Sequence, residues 1–377
     1  MRSLALLLLL AGTVPSAFSA KRVSIKKVDQ LLIRAQGKSD TKVAKQLFNL
    51  ELTQRVSSTR FARWEAELPG PKSQQALVAL ADASAFLPLP PEEISATPAP
   101  SLAVQASLLT RAGNYVTNTI PELPNFFATR DTTRFSDEPE NIESLTLDSS
   151  QYRQLHLVGV STDRVYFRAG KEVIVANTNK DEQVSSSGRP LATHGVFGEA
   201  MELILSDVLQ SSPVWSHWEG SAEAPLAVFR YAVPLEKSHY AVAIPDAPGT
   251  AQPHVAYHGE IAIDQANGIV LRLTIAAELS RTSRISTGDV MVEYGPVEIG
   301  GIRYTCPTRS VSLTIQRIAN TAPSFQYKLD SGSTSKAGPP LTTANDDSTQ
   351  SAPPITSVND VRFKDYHRFR AEIRILP

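Results

Sequence analysis

Apolar and polar residues alternate most regularly between Val255 and Ile315. Turn residues interrupt the alternation at 264–268, and Gly300-Gly301 provides the adjacent positions of positive φ that a tight hairpin needs. Alternation of this length with short turns predicts a four-stranded antiparallel meander with one apolar face. The residues expected on that face are Ile261, Ile263, Leu271 and Leu273, and the pattern continues through Val311, Leu313 and Ile315.

A helical period replaces the alternation between Val23 and Thr119, where apolar residues recur every three or four positions. Polar or proline-containing breaks divide this region, the longest of them at 88–100. Ser39-Asp40 offers an N-cap for the second helix. The region therefore predicts a series of antiparallel helices, the last of which begins near Ser101.

Shorter alternating runs predict further strands outside the meander. One run begins at Tyr152 and turns at Ala169-Gly170, and others cover 214–218, 226–233 and 239–244. Phe197–Leu209 instead carries one apolar stripe and one acidic side, which predicts a single amphipathic helix lying across the sheet. Two residues of this stripe, Phe197 and Met201, are expected to face a ligand together with the apolar face of the meander.

These patterns predict an α+β fold, in which an N-terminal antiparallel helical segment precedes a curved, half-barrel-like antiparallel β-sheet with one inserted amphipathic helix. The predicted segments are a signal peptide at 1–20, a helical segment at 21–120, a connector at 121–150, an antiparallel β domain at 151–329, a disordered loop at 330–359 and the closing strand of the β domain at 360–377. The loop is predicted from its many Ser, Thr, Pro, Gly and Asp residues.

The N-terminus and the composition narrow the function. Arg2 and the apolar run Leu4–Leu10 precede small residues around Ala17, which predicts a cleaved secretory signal and an exported protein, periplasmic or secreted. The apolar run is too short for a permanent membrane span, which needs roughly 20 residues. A net charge of −1 argues against nucleic acid as a partner. Cys306 is the only cysteine, so no intramolecular disulfide can form, and we expect a buried structural thiol.

Candidate chemistry is sparse. His254, His258 and Glu260 are the closest group of ligand-type residues, but a strand would separate the outer two by roughly 20 Å. No Gly-x-Ser-x-Gly turn exists, and the glycines fall at hairpin ends rather than before a helix. We therefore predict no catalytic, cofactor-binding or metal-binding residue. Arg130 and Arg134 could grip an anion, although a connector whose aromatic residues join helix to sheet explains that segment more simply.

Three strings in the β region form a recognisable set: His258–Leu273, with its strand-turn-strand order, Val297–Gly301 before a proline, and Asp365–Phe369 in the closing strand. They resemble the periplasmic lipoprotein-carrier superfold, the half-barrel of the outer-membrane lipoprotein-sorting proteins. Two other strings, Leu123–Arg130 and Val292–Gly301, are similar to a group of exported bacterial proteins. The resemblance implies an envelope location and a fold rather than a reaction, and the N-terminal helices have no counterpart in the carriers.

The leading functional hypothesis is a non-enzymatic cell-envelope protein that binds or carries an apolar, lipid-like ligand, or docks a protein partner. One alternative is an extracytoplasmic hydrolase with a site near His254, His258 and Glu260. Another is a purely structural interaction module, which exposed aromatic residues near Phe126 would favour.

Overall fold

The computed structural model describes residues 20–119, 122–138, 154–175, 199–220, 224–242, 254–280, 283, 285–317 and 354–369. These residues fall into two compact units. The helical unit draws on Met1–Pro91 and Asp137–His156, and the β unit on Glu92–Ser136 and Leu157–Pro377. The predicted signal peptide up to residue 19, Phe197, and the predicted disordered loop up to residue 353 lie outside the described residues.

The described part of the helical unit contains four α-helices and a pair of short parallel strands. In chain order they are β1 (Lys21–Val23), α1 (Ile25–Ala35), α2 (Asp40–Phe48), β2 (Leu50–Leu52), α3 (Ser58–Glu67) and α4 (Pro71–Ala83). Their apolar stripes form a separate core around Trp64, which is fully buried. The indole N–H of Trp64 donates to Asp29 at 2.7 Å, so its polar atom is satisfied.

Asp40 joins α2 to α4. The sequence predicted that it caps α2, but its carboxylate accepts hydrogen bonds from the backbone N–H groups of Lys72 and Ser73, at 3.0 and 2.8 Å. These groups lie in the first turn of α4, where backbone donors have no partner within the helix. A negative charge there is also favourable, so Asp40 stabilises the neighbouring helix rather than its own.

The described part of the β unit is a ten-stranded, curved antiparallel sheet with two helices. Its elements are α5 (Leu102–Thr119), β3 (Phe126–Ser136), β4 (His156–Arg168), β5 (Lys171–Val175), α6 (Glu199–Gln210), β6 (Val214–Gly220), β7 (Pro225–Val233), β8 (Tyr257–Asp264), β9 (Val270–Ala277), β10 (Ile285–Ile299), β11 (Ile302–Gln316) and β12 (Ile355–Arg368). The strand order is β5-β4-β3-β12-β11-β10-β9-β8-β7-β6. The predicted α+β fold class and the four-stranded meander, now β8 to β11, are confirmed.

Helix α6 connects the two edge strands, β5 and β6. The connection therefore passes from one edge of the sheet to the other. Helices α5 and α6 contribute Leu108 and Leu205 to the same buried cluster as Ile261 of β8, Leu273 of β9 and Val292 of β10. We call the side of the sheet that carries these three strand residues the core face.

The meander does not keep one apolar face, so that part of the prediction is wrong. Leu273 pairs with Val292, and Val292 pairs with Ser310, which puts all three on the core face. The next residue, Val311, points to the opposite face, and Leu313 and Ile315 follow it there. Both Ser310 and Val311 are buried, at 1% and 0% exposed. The apolar stripe of a strand that is buried on both faces does not reveal which face meets the helices.

Four assignments along the chain also differ from prediction. Strand β3 lies inside the predicted connector 121–150, and β12 begins at Ile355, inside the predicted loop. Both strands place polar residues on the core face, which hid their alternation. In the predicted strand 239–244, the described residues form only an isolated bridge between Ala241 and His254. Helix α5, predicted as part of the helical segment, belongs to the β unit.

Candidate ligand-binding site

The apolar half of the core face lies on β7, β8 and β9. Ile261, Ile263 and Leu273 each have an exposed fraction of 0%. They belong to one buried cluster with Leu108 of α5 and Leu205 of α6. Three of the predicted ligand-facing residues are thus brought together, and in this structure they are core residues that pack with the two helices.

A β-bulge changes the position of Leu271. Ala262 pairs with Arg272, but the next residue, Ile263, pairs with Val270, so Leu271 is the additional residue on β9. Val270 consequently joins the buried cluster and Leu271 is only half-buried. The alternation of apolar residues could not reveal this shift, because Val270 and Leu271 are adjacent and equally apolar.

Asp207 attaches α6 to the sheet. Its side chain is 4% exposed and lies 2.6 Å from Nδ1 of His239. It also accepts hydrogen bonds from the backbone N–H of His239 at 2.9 Å and from the Tyr257 hydroxyl at 3.1 Å. Among the described side chains of α6, that of Asp207 is the one with hydrogen bonds to another element. Met201 lies in the first turn of α6, and Phe197 precedes the described part of this helix.

Three tyrosines surround this attachment. The ring of Tyr257 lies 5.9 Å from that of Tyr231 and 5.4 Å from that of Tyr240, between centroids. Burial, reinforced by the charge of Asp207, holds the pKa of Tyr257 well above its usual range, and burial raises the pKa of Tyr240 to about 12. The Tyr257 hydroxyl therefore stays protonated and remains a hydrogen-bond donor. Burial also raises the pKa of Asp289 on β10 to about 6.

Arg111 attaches α5 to the turn between β8 and β9. Its guanidinium donates to the backbone carbonyls of Gln265 and Ala266 at 3.0 and 3.1 Å. Gly268 in the same turn has a φ of 79°, and a Cβ there would press on Arg111. The turn glycine predicted from the sequence thus also gives α5 room to approach.

The other half of the core face, on β11, β12 and β3, carries a polar block. Three rows of paired residues cross this half, and each row takes one residue from β11, one from β12 and one from β3. Together the rows contain eight polar side chains and one apolar side chain. The rows are Ser310, Val361 and Thr132; Ser312, Asn359 and Arg134; and Thr314, Ser357 and Ser136. Most of these side chains are buried, which is unusual for hydroxyl groups facing a core.

Arg130 and two carboxylates lie on the core face beside this block, which itself contains Arg134. Arg130 is 7% exposed, and burial lowers the pKa of its guanidinium, while the negative charges of Asp163 and Glu172 raise it. Arg134 donates to the Ser161 hydroxyl at 3.1 Å. The arginine pair predicted as a possible anion grip is therefore accompanied by acidic groups.

The opposite face of the sheet carries ion pairs. Arg272 of β9 donates to both carboxylate oxygens of Glu219 on β6, at 2.7 and 2.6 Å. Strands β7 and β8 lie between the two members of the pair, and the side chains that they place there are the fully buried Val228 and Ala262. The Arg272 and Glu219 side chains are 8% and 13% exposed. In a buried bidentate pair of this kind, each member depends on the other for its hydrogen bonds.

The histidine group considered for a hydrolase is divided among different partners. His258 lies 3.4 Å from Glu278, and Glu260 lies 3.3 Å from Arg230. His254 forms the isolated bridge with Ala241. In the described ranges, no three His, Cys, Asp or Glu side chains are grouped to hold a metal ion.

Cys306 and the aromatic residues after α5 are structural. Cys306 is buried, as predicted, and burial raises the pKa of its thiol to about 12. Phe126 is also buried and stacks on Phe167 with ring centroids 5.0 Å apart. On the opposite face, Phe127 lies under the guanidinium of Arg164, 5.0 Å from its ring centroid.

The sequence reasoning missed Asp207 and the polar block. Asp207 was assigned only to the acidic side of its helix, because its partners lie 32 and 50 residues away. A signal for the block did exist, since Ser310, Ser312 and Thr314 alternate with the apolar residues of β11.

Comparison with known proteins gives a distant likeness of fold. No protein-family model matches the chain, and no curated protein matches it. Among solved structures, it is similar to the crystal structure of a LolA superfamily protein from Nitrosomonas europaea, with 11% identity, a TM-score of 0.27, and coverage of 72% of this chain and 94% of that one. None of the helices in the described ranges has the length and apolar character needed to cross a bilayer.

Proposed function

We propose that the β unit is a non-enzymatic carrier or binding module of the cell envelope, which holds an apolar, lipid-like ligand between its core face and helices α5 and α6. The observation that carries this proposal is the way the apolar half of the face is covered. Within the described residues, side chains alone join the helices to it, and the carboxylate of Asp207 provides the hydrogen bonds of α6 to the sheet. A helix can leave such a surface without breaking a strand ladder.

The covering helices also expose apolar side chains. Leu102 and Val104 at the start of α5 are 80% and 42% exposed, and Leu203 of α6 is 47% exposed. These residues are available to an acyl chain that approaches from solvent or from a membrane surface. When the helices separate from the sheet, Ile261, Ile263 and Leu273 would become the contact surface for that chain. Each buried methylene of the ligand contributes about 0.8 kcal/mol, which offsets the helix contacts that are lost.

Photo-crosslinking tests where an acyl chain binds. The full-length protein would be incubated with a fatty acid that carries a diazirine in its chain, irradiated, digested and mapped by mass spectrometry. We expect saturable labelling of β8, β9 and the apolar sides of α5 and α6, and competition by unlabelled oleic acid. Labelling that remains confined to exposed residues such as Leu102 and Val104, or that oleic acid does not reduce, would contradict the proposal.

A further inference from the structure

Two buried hydroxyl groups on the core face lack the partners that burial normally requires. Thr132 and Ser310 are 2% and 1% exposed, and neither Thr132 Oγ1 nor Ser310 Oγ has a hydrogen-bond partner within the described part of the chain. An unsatisfied buried hydroxyl is destabilising by about 1–3 kcal/mol. Valine or alanine would fill the same positions without this penalty, so the two hydroxyls call for an explanation.

Both hydroxyls lie in the row that also crosses the apolar half of the face. From β9 to β3 this row reads Leu273, Val292, Ser310, Val361 and Thr132. One continuous surface therefore changes from apolar to hydrogen-bonding over a few strands. A surface with this division fits a ligand that is itself divided into an apolar chain and a polar head.

The positions of the two hydroxyls restrict the size of the head. Ser310 and Thr132 flank Val361 on neighbouring strands, so they are about 10 Å apart, which is two strand spacings. A hydrogen bond of about 2.7–2.8 Å to each leaves about 4–5 Å between the two ligand oxygens. The ester carbonyl and the terminal hydroxyl of an acylglycerol have a separation of this order.

The charged side chains near the polar block indicate whether the polar head of the ligand is charged or neutral. Among the described residues, the cationic groups here are Arg130 beside the block and Arg134 within it, and Asp163 and Glu172 are the acidic groups whose charges act on Arg130. Two positive and two negative side chains leave no excess charge within this part of the chain to attract a phosphate or a carboxylate. Hydroxyl groups, which both donate and accept, complement an uncharged head that also does both.

We propose that the polar block binds the uncharged, oxygen-rich head of an acyl amphiphile, of which a monoacylglycerol is the simplest example, with Thr132 and Ser310 as its hydrogen-bonding residues. This inference rests on the proposed function, since the acyl chain of the same ligand would occupy the apolar half of the core face. It adds the class of head group to that function.

The test compares three ligands that share an eighteen-carbon chain: monooleoylglycerol, oleic acid and octadecene. Their affinities would be measured for the full-length protein and for Thr132→Val, Ser310→Ala and the double variant, with Thr132→Ser as the conservative control. We expect each lost hydroxyl to weaken monooleoylglycerol binding about threefold to tenfold, the range for one hydrogen bond, and to leave octadecene binding unchanged. Thr132→Ser should bind as the wild type does.

A stability measurement separates ligand binding from a structural role. In the absence of ligand, Thr132→Val and Ser310→Ala should unfold at the same or a higher temperature than the wild type, because an unsatisfied group has been removed. A lower unfolding temperature together with unchanged affinities would overturn the inference. Preference for oleic acid over monooleoylglycerol would overturn the uncharged head. Failure of all three ligands to bind would refute the proposed function as well, whereas equal affinities for all three would refute the polar head alone.

Discussion

Substitution of Asp207 by Asn tests whether α6 acts as a removable cover. The wild-type carboxylate accepts hydrogen bonds from the His239 backbone and the Tyr257 hydroxyl, and it lies 2.6 Å from the His239 ring. Asn has nearly the same shape but carries no charge, and its NH₂ group would face donors. The variant therefore weakens the attachment of α6 while leaving its apolar side unchanged.

The size of the effect follows from these contacts. A hydrogen bond to a charged group contributes about 1.5–3 kcal/mol, and Tyr257, which is fully buried, would lose a strong acceptor. We expect the free energy of unfolding to fall by about 2–4 kcal/mol. If a ligand binds only after α6 has separated from the sheet, the same substitution raises the population of the competent state. Each 1.4 kcal/mol gained in opening would tighten apparent ligand affinity tenfold.

The assay pairs urea denaturation with titration of a fluorescent fatty acid. We expect Asp207→Asn to be less stable and to bind the probe at least tenfold more tightly. Tyr257→Phe removes one of the hydrogen bonds and should show a smaller change of the same sign. Glu202→Gln, on the same helix, is the charge-matched control and should change neither quantity. A folded Asp207→Asn protein with unchanged or weaker affinity would refute the idea that α6 must open.

Three further predictions concern the stability of the sheet. Leu273→Ala should destabilise the protein by about 2–5 kcal/mol in urea denaturation. Leu271→Ala should destabilise it clearly less, because the bulge leaves Leu271 half-buried. Equal losses of stability would contradict the register between β8 and β9. Arg272→Met alone should cost about 3–5 kcal/mol by removing the bidentate partner of the buried Glu219 carboxylate. Arg272→Met with Glu219→Leu should recover most of this loss, and a double variant as unstable as the single one would be the opposing result. Burial raises the pKa of Asp289 to about 6, above its unfolded value of about 3.9, so its contribution to stability should be complete below about pH 4 and lost as the pH rises through 6. Asp289→Asn should abolish that part of the pH dependence of stability. A variant whose stability has the same pH profile as the wild type would disprove this.

The sequence allowed the sheet to be predicted where local signals agree. Gly300 and Gly301 have φ values of 61° and 82°, as the predicted hairpin requires, and they join β10 to β11. Alternation and turn residues lie within a few positions of each other there, so local chemistry determines the structure. The same reasoning gave α6, whose apolar stripe is visible within its own residues.

The sequence did not predict the role of residues whose partners lie far away along the chain. Strand β3 was missed because Arg130, Thr132 and Arg134 face the core where apolar residues are expected. Only the pairing with β12 reveals that these polar side chains belong to a central strand. Likewise, Asp207 differs from any exposed helical carboxylate only through its contacts with His239. The ligand-facing role of the apolar face, the signal peptide and the disordered loop up to residue 353 remain predictions.

One distance measurement tests the central claim most directly. Spin labels would be attached to cysteines at Leu203, which is exposed on α6, and at Arg230, which is exposed on β7, in a Cys306→Ala background. An acyl chain that enters between α6 and the sheet must add a layer of carbon atoms, about 4 Å thick. We predict that saturation with monooleoylglycerol, confirmed by native mass spectrometry, lengthens the label separation by about this amount. An unchanged separation with the ligand bound would contradict the account.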